Sequence, residues 1–233
     1  GGSILGGSGG SFGGGGGTRG SGGPNGIGGG GGGGGGIGGA IFVGDSSTLI
    51  LNDEIFILGN TVVGGNGGTS GGITFGSAGT GYANDIFLFR QAQVIFNGIS
   101  NLSADFAIQS DQDAPAGHLD IGLIKQNLGQ VSLSSVNNNY RGRTQINGGI
   151  LSISSDVLGN PDGGVSFNGG TLEAISTFSS ARTITLTGAG TVNVDPSFTL
   201  TLSGAITGSG SLTKSNAGTL TLTGANNYTG GTT

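Results

Sequence analysis

Glycine-containing turns recur at a near-constant interval along the second half of this chain, and that interval constrains the fold more than any other feature. Asn147-Gly148-Gly149, Asn168-Gly169-Gly170, Gly188-Ala189-Gly190, Gly208-Ser209-Gly210 and Gly230-Gly231 keep this regular spacing. Between the turns lie short apolar alternations such as Val131/Leu133, Ile184/Leu186, Val192/Val194, Leu200/Leu202 and Leu220/Leu222. Period-two alternation turns one set of side chains inward and sends the intervening Ser and Thr outward. An interval of about 21 residues holding two or three short strands is one circuit of a parallel β-helix. A single circuit cannot bury its Leu, Ile and Val. Circuits stacked at roughly 4.8 Å share a core and saturate one another's backbone hydrogen bonds.

Composition agrees with that reading and excludes others. Glycine supplies 58 of 233 residues, and the sparse Ala, Glu, Lys and Leu leave little to build helix from. Seven basic residues against twelve acidic ones give a net charge of −5, with no Lys/Arg cluster to neutralise phosphates, so nucleic acid is not an expected partner. No apolar stretch approaches the roughly 18–20 residues of a membrane-spanning helix. The chain has no cysteine, which rules out disulfide stapling and is compatible with export through an oxidising compartment.

Two regions are expected. Residues 1–39, two-thirds of them glycine, read as a Gly-rich, low-complexity, flexible and irregular N-terminal segment; no strand precedes the glycines and no GK[ST] follows, so they are no phosphate cradle. Residues 40–233 read as the solenoid, opening with short apolar runs at 41–43, 49–51, 55–58, 61–63, 73–75, 86–89 and 94–96. At about 21 residues per coil this stretch would make roughly nine coils and a rod of roughly 40 Å. The crossover rule makes the coil right-handed. An antiparallel sandwich would not produce so regular an interval, and a calcium β-roll needs Asp-bearing nonapeptides that the glycine-rich start lacks.

The sequence also echoes itself at long range. Residues 122–144, GLIKQNLGQVSLSSVNNNYRGRT, recur with drift as residues 211–233, SLTKSNAGTLTLTGANNYTGGTT. Lys125 and Lys214, the chain's two lysines, fall on one repeat position, and Tyr140 and Tyr228 on another. The offset between the lysines corresponds to about four circuits.

The second copy resembles the passenger-associated transport repeat of bacterial autotransporters, whose usual form runs L-x-K-x-G-x-G-T-L-x-L-x-G-x-N-x-Y-x-G-x-T. Leu212 to Thr233 follows it with Asn216 in place of the first Gly; the first copy departs at Gln130, at Ser135 and by one extra residue in Asn137-Asn138-Asn139. Gly38-Gly39-Ala40-Ile41 and Gly59-Asn60-Thr61 resemble elements of β-helical surface adhesins and polymorphic outer membrane proteins. The resemblance implies an exported passenger segment with a right-handed parallel β-helix, joined in the precursor to a C-terminal outer-membrane β-barrel. It implies a place at the cell surface of, or secreted from, a Gram-negative bacterium. The missing initiator Met and the second copy's stop at Thr233 suggest a piece of a longer precursor.

Chemistry-bearing constellations are few. Asp111, Asp113, His118 and Asp120 cluster around Pro115; the context reads as a solvated loop, with calcium binding and acid/base glycoside chemistry as alternatives. Arg141 and Arg143 read as surface decoration, since Thr229 and Gly231 replace them in the second copy. Lys125 and Lys214 read as repeat-specified surface positions beside a turn, and Ser209 as part of a turn rather than a nucleophile. No catalytic, cofactor-binding or metal-ligating residue is assigned, and no cofactor is expected. The function expected is a structural and adhesive rod that presents surfaces to host or environmental glycans or proteins. A polysaccharide-active β-helix enzyme, or a spacer stalk carrying a separate effector, is the alternative. Far-UV circular dichroism should be dominated by β-structure; substantial helical signal would contradict the architecture.

Overall fold

The computed structural model describes residues 36–37, 41–52, 81–82, 85–110 and 121–233. The Gly-rich segment 1–39 therefore lies outside the described residues except for Gly36 and Ile37, as do the apolar runs at 55–58, 61–63 and 73–75. The described residues are all-β, with no helix.

The chain divides into two compact units. In the first, made from residues 1–42 and 59–87, strands Gly36–Ile37 and Gly81–Tyr82 pair in parallel, and the rings of Phe42 and Phe87 stack with centroids 5.9 Å apart. The second, residues 43–58 and 88–233, is a parallel β-solenoid.

Three faces build the solenoid. On the first, Thr48–Leu51, Gln93–Phe96, Ile121–Lys125, Arg143–Ile146, Val165–Phe167, Ile184–Leu186 and Ile206–Gly208 stack in chain order. On the second, Leu102–Ala104, Gln130–Leu133, Ile150–Ile153, Thr171–Ala174, Gly190–Val194 and Leu212–Ser215 do the same. Phe178–Ser180, Thr199–Leu202 and Thr219–Leu222 make the third. Every pairing is parallel, because each strand meets its counterpart one circuit later.

Seven strands on the first face make six steps, about 29 Å of stacking at the usual strand spacing. Among the described residues, the nine coils expected from length are about six. The cause lies in the early circuits, where Thr48 stands beside Gln93 and Val94 beside Leu123. The first of these circuits is about twice as long as the later ones and the second about one and a half times as long. From Leu123 onward the first face steps to Thr144, Val165, Ile184 and Ile206, each time by about 21 residues. The interval read from glycine turns governs the half of the chain in which those turns occur.

Register converts alternation into columns of like side chains. On the second face Leu102, Val131, Leu151, Leu172 and Val192 follow one another inward, with Ala104, Leu133, Ile153, Ala174 and Val194 beside them. Nearly all are buried, Leu151, Ala174, Val192 and Val194 completely. One residue of slip would turn such a column outward, so burial fixes the register. The first face has the columns Leu49-Val94-Leu123-Thr144-Val165-Ile184-Ile206 and Leu51-Phe96-Lys125-Ile146-Phe167-Leu186-Gly208. Two polar residues, Thr144 and Lys125, interrupt them, and both belong to the first repeat copy.

Leu172→Ala empties one position in a closed column. It should lower the unfolding free energy in urea by about 2–5 kcal/mol, whereas Thr171→Ala on the outward side should stay within about 0.5 kcal/mol. Equal effects at the two positions would contradict the inward and outward assignment.

Candidate functional site

The two repeat copies are where the chain places its unusual side chains, and each repeat residue has the same local task in both. Lys125 occupies an inward position between Phe96 and Ile146 and is fully buried. Its aliphatic stem fills the column while Nζ turns to the corner, donating to the carbonyls of Gln126 at 2.5 Å, Asn127 at 3.0 Å and Gly148 at 3.4 Å. Lys214, beside Val192 on the second face, donates to Ser215 O at 2.5 Å and Asn216 O at 2.9 Å. In both copies the corner residue is Asn in the left-handed conformation, Asn127 at φ 55° and Asn216 at φ 63°. Asn tolerates that conformation better than other side chains. The corner leaves carbonyls facing inward, and an ammonium on the preceding strand satisfies them.

Neighbouring coils lock onto this corner. Asn127 Nδ2 donates to Asn97 O at 2.7 Å and Asn97 Oδ1 at 3.0 Å, and Asn97 Nδ2 donates to Asn52 Oδ1 at 2.9 Å, so three successive corners are joined by an asparagine ladder. Asn216 Nδ2 makes the equivalent bond to Asp195 Oδ1 at 3.0 Å. On the following coil Gly149 has φ +61°, and a Cβ there would strike Gly129 O and Asn127 O and lie 2.6 Å from Lys125 Nζ. Glycine is required there both for backbone conformation and for room beside the ammonium.

Two further fixtures recur. Asn138 Oδ1 accepts from Ile108 N at 2.7 Å and Asn226 Oδ1 from Ile206 N at 2.9 Å, each pinning the end of the repeat to the coil before it. Tyr140 OH and Thr144 Oγ1 are 2.7 Å apart, and Tyr228 OH and Thr232 Oγ1 are 2.6 Å apart. Tyr140 is fully buried, and burial raises its phenol well above the usual range. This clamp supplies the polar partner that Thr144 needs within its apolar column.

These positions correct two expectations. Lys125 is a core residue rather than a surface one, because its stem is apolar and its charge finds three carbonyls. The echo is also not a whole number of circuits. Four first-face steps from Lys125 lead to Gly208, whereas Lys214 lies on the second face. The repeat specifies a strand, corner and strand, and it can begin on either face because both corners impose the same demands.

Asp111, Asp113, His118 and Asp120 lie outside the described residues. Arg143 is exposed at the start of its strand and Arg141 is half-buried, with buried Gly142 between them. Ser209 is exposed in the turn after Gly208, a positive-φ glycine. Among the described residues, no group of three or more His, Cys, Asp or Glu side chains stands close enough to hold a metal ion.

Arg182 was not singled out by its sequence context, yet it is buried and organises the longest described loop between coils, residues 154–164. Its Nε donates to Asp156 Oδ1 at 2.6 Å, its Nη1 to Asn160 O at 2.6 Å and Gly163 O at 2.7 Å, and its Nη2 to Gly159 O at 2.7 Å. A planar fork with several donors can serve a carboxylate and three carbonyls at once. The available sequence signal was an isolated Arg beside an apolar column in a chain with few charges.

The fold and its corners define a parallel β-solenoid repeat protein. Residues 123–153 and 212–233 match the passenger-associated-transport-repeat family, which extends the first copy beyond residue 144 to include the next second-face strand. Over 78 residues, 33% of this chain, the sequence is 49% identical to the Adhesin BmaC autotransporter of Brucella suis biovar 1 (strain 1330), of which the match covers 2%. No solved structure matches. The chain thus carries two matches to the passenger-associated transport repeat and, over the 78 matched residues, is similar to an autotransporter adhesin.

Burial holds the Lys125 pKa down to about 8, against 10.5 for a free lysine. Between those values the unfolded chain binds the extra proton, so this residue makes stability rise as pH increases from about 8 to 10.5. Lys125→Met should abolish that part of the pH dependence in denaturant titrations and, at pH 7, lower stability by about 1–3 kcal/mol by orphaning corner carbonyls. An unchanged pH profile would contradict the buried placement.

Proposed function

We propose that this segment is a structural and adhesive part of an exported passenger, a rigid β-solenoid that presents Ser/Thr/Asn-rich faces outside a Gram-negative cell. The observation that carries this reading is the corner common to both repeat copies. Lys, αL Asn, Gly, Asn and the Tyr–Thr pair all bond within their own coil or to an adjacent one, so the repeat residues hold coils together. The outward columns are left as the presented surface.

Much of the outward side of the regular coils carries hydroxyls: Thr171, Thr191 and Thr213 follow Ile150 in one column of the second face, and Thr199 aligns with Thr219 and Thr201 with Thr221 on the third. Such faces offer hydroxyl and amide groups at strand spacing to a glycan or protein surface. Similarity to a protein named an adhesin supports the adhesive half of the reading. A surface or secreted location follows from the autotransporter repeats, with an outer-membrane barrel as the partner in the precursor. Among the described residues no helix is long and apolar enough to cross a membrane.

Beads coated with the 233-residue chain should bind host-cell monolayers or immobilised glycans saturably and lose that binding when the chain is denatured first. Binding no greater than that of uncoated beads would remove the adhesive half of the proposal.

A further inference from the structure

The first face has an opening on its outward side, where one column lacks a side chain. Gln145, Ser166 and Thr185 are register partners on three consecutive strands and point outward, between the inward rows that begin at Thr144 and Ile146. One outward position earlier, Arg143, Gly164 and Thr183 fall side by side: Thr144 N donates to Gly164 O and Val165 N to Thr183 O, both at 2.9 Å. Glycine in the middle of that row leaves a gap between an arginine and a threonine. A Cβ on Gly164 would stand 2.8 Å from Thr183 Oγ1 and 3.0 Å from Thr183 O, so the threonine hydroxyl borders the gap.

The gap is a pocket of about 140 Å3 whose lining includes Arg143, Asp162, Gly164, Ser166, Thr183 and Thr185. Ser166 forms its floor, only 4% exposed although it is on the outward side. Asp162 comes from the loop between coils, and Arg182 holds that loop by donating to Asn160 O at 2.6 Å and Gly163 O at 2.7 Å, on either side of it. The rim is therefore set before any ligand arrives. Arg143 and Asp162 bring opposite charges to one pocket without pairing with each other; the ion pairs among the described residues are Arg90 with Asp45 and Arg182 with Asp156. The repeat does not demand Arg143, since Gly231 takes its place in the second copy.

We propose that this pocket binds one neutral sugar residue, an inference that rests on the adhesive reading and names a ligand class for it. Sugar hydroxyls both donate and accept, and the hydroxyls of Ser166, Thr183 and Thr185 answer them in kind. The Asp162 carboxylate accepts from neighbouring sugar hydroxyls, while the Arg143 fork donates to hydroxyl or ring oxygens. One charge of each sign leaves the pocket balanced. An acidic sugar or a phosphate would instead meet the Asp162 carboxylate, on a chain whose net charge is already −5. The space is well below the roughly 300–1,000 Å3 of pockets that enclose drug-sized ligands, so it suits a single residue and not an oligosaccharide. The lining holds no aromatic ring for a sugar to stack on, and a ligand so small and polar binds with a Kd of about 1–10 mM.

The test is saturation-transfer difference NMR of the 233-residue chain with the methyl glycosides of glucose, galactose, mannose, fucose and N-acetylglucosamine, and with methyl glucuronide as the acidic comparison. At least one neutral glycoside should bind with a Kd of about 1–10 mM, and more tightly than the glucuronide. Arg143→Gln and Asp162→Asn change exposed residues, so circular dichroism should stay the same while each weakens that binding by about tenfold. No binding of any neutral glycoside at about 50 mM overturns the proposal. So does tighter binding of the glucuronide, or undiminished binding by both folded variants. The coated-bead assay separates the pocket from adhesion itself. Beads that bind cells while no glycoside binds the chain overturn the pocket and leave adhesion standing; neutral glycoside binding by a chain whose beads do not adhere supports the pocket and removes adhesion.

Discussion

Everything in the regular part of this protein depends on each strand meeting its counterpart one circuit later, in parallel and in register. The backbone ladder is closed by that meeting, and so are the apolar columns, since an inward Leu or Val has no partner within its own coil. Both requirements fail together if a coil gains or loses one residue between faces, because the side-chain period is two. The corners are therefore where sequence is most constrained. They must reverse the chain in a few residues, carry left-handed backbone and leave no carbonyl stranded.

The repeat solves that problem with few parts. An inward Lys supplies a stem for the core and an ammonium for the carbonyls, Asn takes the left-handed position and bonds to the corner before it, and glycine admits the next coil. The solution is local, which is why one copy runs from the first face to the second and the other from the second to the third. Departures in the first copy, such as Gln130 for Thr, fall on outward positions where no column is affected. Arg182 solves a related problem differently: a longer loop needs more donors, and a guanidinium provides them where an ammonium could not.

Much of this architecture was legible from residues. The regular return of Gly turns set the coil length, and Leu/Thr alternation set the inward and outward sides, because both signals are periodic and periodicity is what stacking requires. The number of coils was not legible, since the wide circuits before Leu123 carry no regular glycine interval. The burial of Lys125 was hidden for another reason: a lysine is ordinarily a surface residue, and only three-dimensional register shows it between Phe96 and Ile146. The alignment of Ser132, Ser152, Glu173 and Asn193 was equally hidden, because they lie on four strands and become neighbours only through stacking.

In-register stacking can be tested directly because the chain contains no native cysteine. Thr191→Cys with Thr213→Cys places two thiols on Cα partners of adjacent coils, within the separation a disulfide can bridge. Thr191→Cys with Ser215→Cys shifts one thiol by two positions along the strand, about 6.6 Å. Under mild oxidation the first pair should cross-link intramolecularly and the second should remain reduced. Equal cross-linking of both pairs, or none in the first, would contradict the register on which this account rests.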